Sequence, residues 1–293
     1  MKLSILYRGS LSSCNYGCDY CPFAKRKETK EDHQRDALEL ERFVQWVEQR
    51  SAHDQLEVFF TPWGEALIHK RYQDALARLS RLSQIKKVAI QTNLSCRLNW
   101  IDQCEKEKLG LWCTYHPGET SRTTFLQQCE RLQNSSVKFS VGVVGLKEHL
   151  SEIVALRTEL SSSVYLWVNA YKRIADYYSA SELAQLQALD PLFMINTQYH
   201  RSLGEACRCG DSVISVDGEG TIQRCHFIKT SIGNIYDPDF DKSLTRSPCP
   251  AATCGCHIGY VHMDSLGLYD VFEGGILERV PSDPSILQNI PPA

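Results

Sequence analysis

The sequence predicts an α/β fold in which repeated strand–helix units are followed by a small cysteine-rich β-hairpin. Short β-like runs alternate with amphipathic helical patterns up to about residue 200, and cysteine- and glycine-rich segments replace the helices after that point. Strands that alternate with helices pair in parallel through right-handed crossovers. Six such units can form either a doubly wound sheet or an incomplete barrel. In both folds, functional groups collect at the carboxyl ends of the strands.

Local periodicity predicts each element in turn. Six short apolar runs predict strands at residues 3–7, 56–60, 88–90, 111–114, 137–144 and 164–168. Apolar residues at helical spacing predict helices within residues 38–47, 72–82, 125–132, 153–160 and 183–189. Leu38, Phe43 and Val47 are placed on the apolar face of the first helix. Ser179-Ala180-Ser181-Glu182 matches a capping box, which predicts the start of the last helix.

The composition is typical of a soluble globular protein. The 293 residues are 43% hydrophobic and 23% charged, which allows one large core with a smaller appendage. The net charge of −3 argues against a nucleic-acid partner. Residues 1–8 do not form a signal peptide because Arg8 ends a short apolar run, and no stretch approaches the roughly 20 apolar residues of a membrane span. We expect a cytoplasmic protein without membrane contact.

The thirteen cysteines fall into two groups with a sparse middle. Three lie within residues 14–21 and six within residues 207–256. The other four have no ligand spacing and are interpreted as buried thiols: Cys96, Cys104, Cys113 and Cys129. Two groups of this kind predict two metal sites in a reducing compartment.

The first group has the spacing Cys14-x3-Cys18-x2-Cys21, with Tyr20 before the last cysteine, and it follows the first predicted strand. Three thiolates on a [4Fe–4S] cluster leave one iron without a protein ligand. A zinc site would need a fourth ligand, and a disulfide framework would need an oxidising compartment. The spacing resembles the signature of the radical S-adenosylmethionine (SAM) superfamily. This resemblance implies a partial (β/α)6 barrel, a [4Fe–4S] cluster on the three cysteines, and SAM bound at the open iron.

The same resemblance implies further SAM contacts. Residues 61–66 follow the second strand and are similar to the superfamily's Gly-Gly-Glu-Pro motif, although only Gly64-Glu65 matches. Gly64 would let the backbone approach SAM, and Glu65 would accept its amino group. Thr92 and Asn93, after the third strand, would contact the ribose, and Tyr20 would lie by the adenine. The alternatives are a solvated glutamate at a strand–helix turn and ordinary turn chemistry.

Two further polar residues are predicted to face this end of the sheet. His116 ends the fourth strand and Asn169 ends the sixth. Either could contact a substrate, and His116 could donate a proton. For both, a structural role is the preferred interpretation.

The second group surrounds a predicted hairpin. Cys207 and Cys209 precede it, residues 217–220 form its turn, and Cys225 ends it. The spacing resembles the SPASM/twitch extension of radical SAM enzymes, which implies one auxiliary [4Fe–4S] cluster. Its ligands would come from Cys225 together with Cys207, Cys209, Cys254 and Cys256, and Cys249 is the remaining thiol. A zinc ribbon is the alternative, with His226 or His257 as a further possible ligand.

These features predict three regions: residues 1–200 as the partial barrel, 201–260 as the auxiliary region, and 261–293 as a tail. Within the tail, residues 266–272 are expected to pack against the open side of the barrel, and residues 281–293 are expected to be irregular. The resemblance implies an enzyme that cleaves SAM to a 5′-deoxyadenosyl radical and modifies a peptide or protein side chain. Oxidation of a small metabolite and a non-catalytic iron–sulfur or zinc protein are the alternatives. The enzyme would take electrons from a reductase or a flavodoxin- or ferredoxin-type donor.

Overall fold

A nine-stranded sheet forms the centre of the protein, which is described by a computed structural model over residues 1–24, 27–283 and 285. The strands are β1 (Lys2–Arg8), β2 (Gln55–Phe60), β3 (Ile85–Thr92), β4 (Leu109–Tyr115), β5 (Lys138–Val144), β6 (Leu166–Asn169), β7 (His200–Arg201), β8 (Val213–Asp217), β9 (Thr221–Cys225), β10 (Ile228–Asn234) and β11 (Thr253–Cys254). The helices are α1 (Lys30–Glu48), α2 (Lys70–Ser80), α3 (Arg122–Asn134), α4 (Leu150–Glu159), α5 (Ala180–Leu189), α6 (Phe193–Thr197), α7 (His257–Tyr260) and α8 (Leu268–Val271).

The strand order decides between the two predicted architectures. The sheet runs β10-β9-β8-β1-β2-β3-β4-β5-β6, and β1 to β6 are all parallel to their neighbours. A doubly wound sheet reverses its order at a switch point, whereas this order is sequential. Successive right-handed crossovers in one direction place the helices on one face, as in a partial barrel. The α/β fold class and the six predicted strands are therefore confirmed.

The predicted helices form for local reasons. Ser179 accepts a hydrogen bond from the backbone of Glu182 and Glu182 returns one, which confirms the capping box at the start of α5. Phe43 and Val47 are buried on α1, as predicted. The placement of Leu38 on that face was wrong, since its side chain is 73% exposed. The buried face contains Leu40, and a separation of two residues is about 200° around a helix.

The two faces of the sheet bury different partners. Helices cover the outer face, where Ile5 and Val58 belong to the larger hydrophobic core. The inner face has its own core, in which Leu6 and Trp112 pack with residues of the C-terminal segment such as Phe272. Residues 266–272 therefore pack on the open side of the barrel, as predicted. Fully burying a side chain such as Phe272 stabilises the fold by roughly 1.5–3 kcal/mol.

The cysteine-rich segment continues the main sheet. β8 and β9 pair antiparallel, and β8 also pairs in parallel with β1. Strands from both sides of the predicted boundary at residue 200 thus share one sheet, and the three-region division stays a prediction. The predicted irregular segment 281–293 lies outside the described residues except for 281–283 and 285. Within the described parts of the chain, no helix has the length and apolar character needed to cross a membrane.

Candidate active site

A cavity of about 490 Å³ opens at the carboxyl ends of the parallel strands. Its wall includes seven of the residues predicted from the sequence, namely Cys14, Cys18, Cys21, Gly64, Glu65, Thr92 and Asn93. His116 and Asn169, from the ends of β4 and β6, also line it. This position is where a sequential parallel barrel gathers groups that act on a ligand.

The three cysteines of the first group share this wall within one tight loop. The backbone amide of Cys21 donates to the Cys18 carbonyl at 3.1 Å, and the amide of Tyr16 donates to Cys14 Sγ at 3.4 Å. Burial raises the pKa of Cys14, and it raises the pKa of Cys18 to about 11. Metal binding at these thiols must therefore displace protons. Three thiols on one cavity wall are the donor set that a three-cysteine [4Fe–4S] cluster requires.

Zinc and a disulfide framework are the alternatives to an iron–sulfur cluster. All thirteen cysteines, each within the described residues, are free thiols. Within residues 1–24, 27–283 and 285, no three His, Cys, Asp or Glu side chains are close enough to hold a single metal ion. A zinc ribbon needs four ligands on one ion, whereas a [4Fe–4S] cluster spreads its ligands over several irons.

The loop after β2 packs directly on the cysteine loop. The amide of Glu65 donates to the Ser13 carbonyl at 3.0 Å. A Cβ atom at Gly64 would lie 1.7 Å from that same carbonyl oxygen, so only glycine permits this approach. The sequence predicted that Gly64 lets the backbone approach SAM. The structure shows a close contact with Ser13, and the approach to SAM stays a prediction.

Trp63 occupies the position of the motif's first glycine. The Arg8 guanidinium lies over its ring, 4.0 Å from the centroid, and the ring of Phe23 lies at 4.5 Å. Arg8, Trp63 and Phe23 all line the cavity. The departure from the motif therefore builds an aromatic and cationic part of the cavity wall.

Glu65 is a buried carboxylate held by three hydrogen bonds. Its side chain accepts from Thr92 Oγ1 at 2.8 Å, from the Leu67 amide at 3.0 Å, and from the Asn93 amide. Burial raises the pKa of Glu65 to about 7, and these hydrogen bonds oppose the shift. Only 2% of the residue is exposed, so the alternative of a solvated glutamate is excluded.

Thr92 and Asn93 connect β3 to the rest of the site. The Thr92 hydroxyl donates a hydrogen bond to Glu65, and the side-chain nitrogen Nδ2 of Asn93 donates one to Asn15 Oδ1 at 3.0 Å. Asn93 Oδ1 in turn accepts from the Ser95 amide at 3.0 Å. These contacts position Glu65 beside the cysteine loop, and a role for Thr92 or Asn93 at a ribose stays a prediction.

Tyr20 pairs with His116 across the site. Tyr20 Oη lies 2.8 Å from His116 Nδ1, which is also 3.4 Å from Cys18 Sγ. Burial lowers the pKa of His116 to about 4, so the imidazole is neutral at pH 7. Tyr16 lines the cavity and Tyr20 does not. The predicted position of Tyr20 at an adenine remains untested.

The part of the chain that builds most of this site is similar to a known protein family. The sequence model of the radical SAM superfamily matches residues 11–111, which span the cysteine loop, Glu65 and Asn93. Residues 11–111 are therefore similar to a radical SAM domain. A domain of this superfamily implies a [4Fe–4S] cluster and SAM as cofactors. A search of curated proteins found no match to the chain.

Solved structures share the fold of this protein at low sequence identity. Native anSMEcpe with bound AdoMet (SAM) and Kp18Cys peptide aligns with a TM-score of 0.55 and 14% identity, covering 84% of this chain and 81% of that chain. Native anSMEcpe with bound AdoMet alone aligns with a TM-score of 0.53 and 14% identity, covering 83% of each chain. At this identity the comparison shows the fold.

Outside residues 11–111, the cysteines of the second group lie in two different parts of the structure. Cys209 hydrogen-bonds with both Cys207 and Cys225, and these bonds lower the pKa of Cys207 and of Cys225 while raising that of Cys209. The charge of Cys225 also acts on Cys254, whose pKa is raised mainly by burial. Cys256 instead lines the cavity. Four thiols are thus associated with the hairpin, and the fifth predicted ligand faces the candidate active site.

Several residues of the cavity wall were not predicted from the sequence to lie there. Trp112 and Trp167 project inward from β4 and β6, and their rings are 5.0 Å apart. His257 and Arg279 reach the same cavity from the C-terminal segment. Inward alternation along a strand could have suggested the tryptophans. For Arg279, no local pattern distinguishes it from a surface arginine.

Proposed function

We propose that the protein is a radical SAM enzyme that removes a hydrogen atom from an organic substrate held in the 490 Å³ cavity. The observation that carries this proposal is the placement of Cys14, Cys18 and Cys21 on one cavity wall beside the buried Glu65, within residues that match the superfamily. A [4Fe–4S] cluster bound there would supply the electron that cleaves SAM to methionine and a 5′-deoxyadenosyl radical.

The residues of this chain would bind and orient SAM. Glu65 is fixed by Thr92 and by the backbone of Asn93, so its carboxylate needs no rearrangement to receive an ammonium group. A cation beside a buried carboxylate favours the charged form and offsets the cost of its burial. The cavity walls from Trp112 and Trp167 would exclude water from reactive species.

The size of the cavity limits the substrate. Ligand sites of this class range from about 300 to 1,000 Å³, and here the space of about 490 Å³ must accommodate SAM as well. The substrate is therefore a peptide side chain or a small metabolite. The peptide bound to anSMEcpe supports the first choice. We expect a flavodoxin- or ferredoxin-type donor and a reducing compartment, as the cytoplasm provides.

We further propose an auxiliary [4Fe–4S] cluster on Cys207, Cys209, Cys225 and Cys254. The mutual contacts of the first three thiols and the proximity of Cys254 to Cys225 support this ligand set. Cys256 is outside it, because its thiol lines the active-site cavity. This assignment selects four of the five candidates predicted from the sequence.

Release of 5′-deoxyadenosine tests the central proposal. Anaerobically reconstituted protein is incubated with SAM and a strong reductant, alongside Cys18→Ala and the control Cys129→Ala, whose thiol is buried outside the cavity. We expect release from the wild type and from Cys129→Ala, and none from Cys18→Ala. If iron-loaded wild type releases nothing, SAM binding is measured by calorimetry. Failure to bind SAM would overturn the proposal in favour of a non-catalytic iron–sulfur protein.

A further inference from the structure

Arg279 is a buried arginine whose charge has no close partner among the residues that the structure describes. Only 1% of the residue is exposed, yet it lines the active-site cavity. Its Nε atom has no hydrogen-bond partner, and no carboxylate of residues 1–24, 27–283 and 285 lies within 4.0 Å of its side chain. Its guanidinium lies 4.7 Å from the ring centroid of Trp167 and 5.5 Å from that of Trp112. A buried, unpaired charge is strongly unfavourable unless a ligand neutralises it.

Asp190 and Glu65, two buried carboxylates, already have other partners. The charge of Asp190 acts on Arg279 from beyond ion-pair distance, but Asp190 accepts hydrogen bonds from Tyr165 Oη and from two backbone amides. Glu65 is the carboxylate of the cavity lining, and it already accepts three hydrogen bonds. The positive charge of Arg279 is therefore available to a bound molecule.

The surrounding cavity wall is also positive. Arg8 lines it, and the charges of Arg8, Lys172 and Arg279 all act on the Cys256 thiol. Lys172 Nζ donates to the carbonyls of Asn196 and Gly255, so its hydrogen bonds are satisfied. His257 has a buried Nε2 atom without a partner. Arg279 and His257 thus both line the cavity, and each has a buried polar atom without a hydrogen-bond partner.

The backbone around Arg279 is held in a costly conformation. Arg279 has a φ of +54°, which is uncommon for a residue with a side chain. The adjacent Glu278 is fixed from two sides, by Lys87 Nζ at 2.7 Å and by the Ser140 hydroxyl, which donates to the Glu278 carbonyl at 2.6 Å. Such strain persists where surrounding contacts over-determine it, and it concentrates at ligand sites.

We propose that the substrate carries an anionic group, a carboxylate or a phosphate, which Arg279 binds with the help of His257. The inference rests on the proposed function, since it names the substrate class for the same cavity. Guanidinium groups bind carboxylate and phosphate through paired hydrogen bonds.

The carboxylate of SAM is the other possible source of the anion, and the position of Arg279 argues for the substrate. Arg279 stacks with residues of β4 and β6, whereas the cysteine loop, Glu65 and Asn93 follow β1, β2 and β3. The anion site is thus built from the other half of the sheet.

Anion binding can be measured without turnover. Iron-loaded, unreduced protein saturated with SAM is titrated with inorganic phosphate and with acetate at constant ionic strength, using chloride as the reference. Binding is followed by calorimetry and by tryptophan fluorescence, because Trp112 and Trp167 flank the proposed site. Arg279→Gln removes the charge and Arg279→Lys retains it. Arg131→Gln removes one exposed charge and serves as the matched control.

We expect at least one of the two anions to bind the wild type and Arg131→Gln with similar affinity. The same anion should bind Arg279→Gln about tenfold more weakly, and Arg279→Lys with intermediate affinity. The affinity for SAM should change less than twofold in all of them. A tenfold loss of SAM affinity in Arg279→Gln with unchanged anion binding would assign Arg279 to the SAM carboxylate and overturn the proposal. Wild-type protein that binds neither anion more strongly than chloride would also overturn it. These readouts are independent of 5′-deoxyadenosine release, so each proposal can fail separately.

Discussion

The buried ion pair between Lys87 and Glu278 should hold the C-terminal segment inside the barrel. Lys87 Nζ lies 2.7 Å from Glu278 Oε1, and their side chains are 9% and 0% exposed. A Cβ atom at Gly110 of β4 would lie 2.8 Å from Glu278 Cβ, so the strand makes room for this residue. Lys87→Met should therefore leave a carboxylate buried without its counter-charge.

The expected loss of unfolding free energy follows from this geometry. Removing one partner of a buried pair typically costs 3–5 kcal/mol. Burial raises the pKa of Glu278 and Lys87 lowers it, so in Lys87→Met the carboxyl will take up a proton more readily. Protonation limits the loss, and we expect about 3 kcal/mol at pH 7. The loss should be smaller at pH 5, where the folded mutant retains the proton.

Urea unfolding of the full chain at pH 7 measures this loss. The control is Lys70→Met, because Lys70 forms an exposed pair with Asp74 and should contribute less than about 1 kcal/mol. The double variant Lys87→Met/Glu278→Leu should recover most of the stability, since apolar replacement of a buried pair is often neutral. A loss in Lys87→Met no larger than in Lys70→Met would refute the reasoning.

Three further outcomes are expected. Gly64→Ala should reduce iron incorporation, because its Cβ would collide with the Ser13 carbonyl, and unchanged iron and sulfide counts would contradict this. SAM affinity should rise with pH by up to about tenfold per unit below pH 7 and level off above it. The reason is that Glu65, with a pKa of about 7, must lose its proton to receive an ammonium group. A flat calorimetric profile between pH 6 and 8 would exclude that role. Cys225→Ala should lower the iron count from about 8 to about 4 per chain, whereas Cys256→Ala should leave the count unchanged. Equal losses of iron in the two variants would place Cys256 in the auxiliary cluster.

Local patterns predicted the elements but left their arrangement open. The capping box at Ser179 and the apolar spacing of Phe43 and Val47 depend on neighbours within one or two turns, so the sequence contains the needed information. The choice between a doubly wound sheet and a partial barrel depends on which strands pair. Pairing between β1 and β8 joins segments about 200 residues apart, and no local periodicity encodes it.

The candidate site shows the same division. The cysteine loop was predictable because its three cysteines lie within eight residues. The sequence predicted that Gly64 approaches SAM, which stays a prediction, whereas its close contact with Ser13 was not foreseen because loop packing is a tertiary contact. Cys254 and Cys256 are two residues apart, and this spacing does not show that only Cys256 lines the cavity. The difference follows from the short α7, which begins directly after Cys256 and whose first residue, His257, also lines the cavity.

The C-terminal segment connects stability to the proposed chemistry. Phe272 and Leu277 fill the inner face of the barrel, and Glu278 anchors the chain one residue before Arg279. Closing the inner face excludes water, which strengthens electrostatic interactions in the cavity and, on the proposed function, would protect a reactive radical. The same closure makes the unpaired charge of Arg279 more costly. An anionic substrate would remove that cost only when it is bound, so the energy of placing Arg279 there would be recovered as affinity for the substrate.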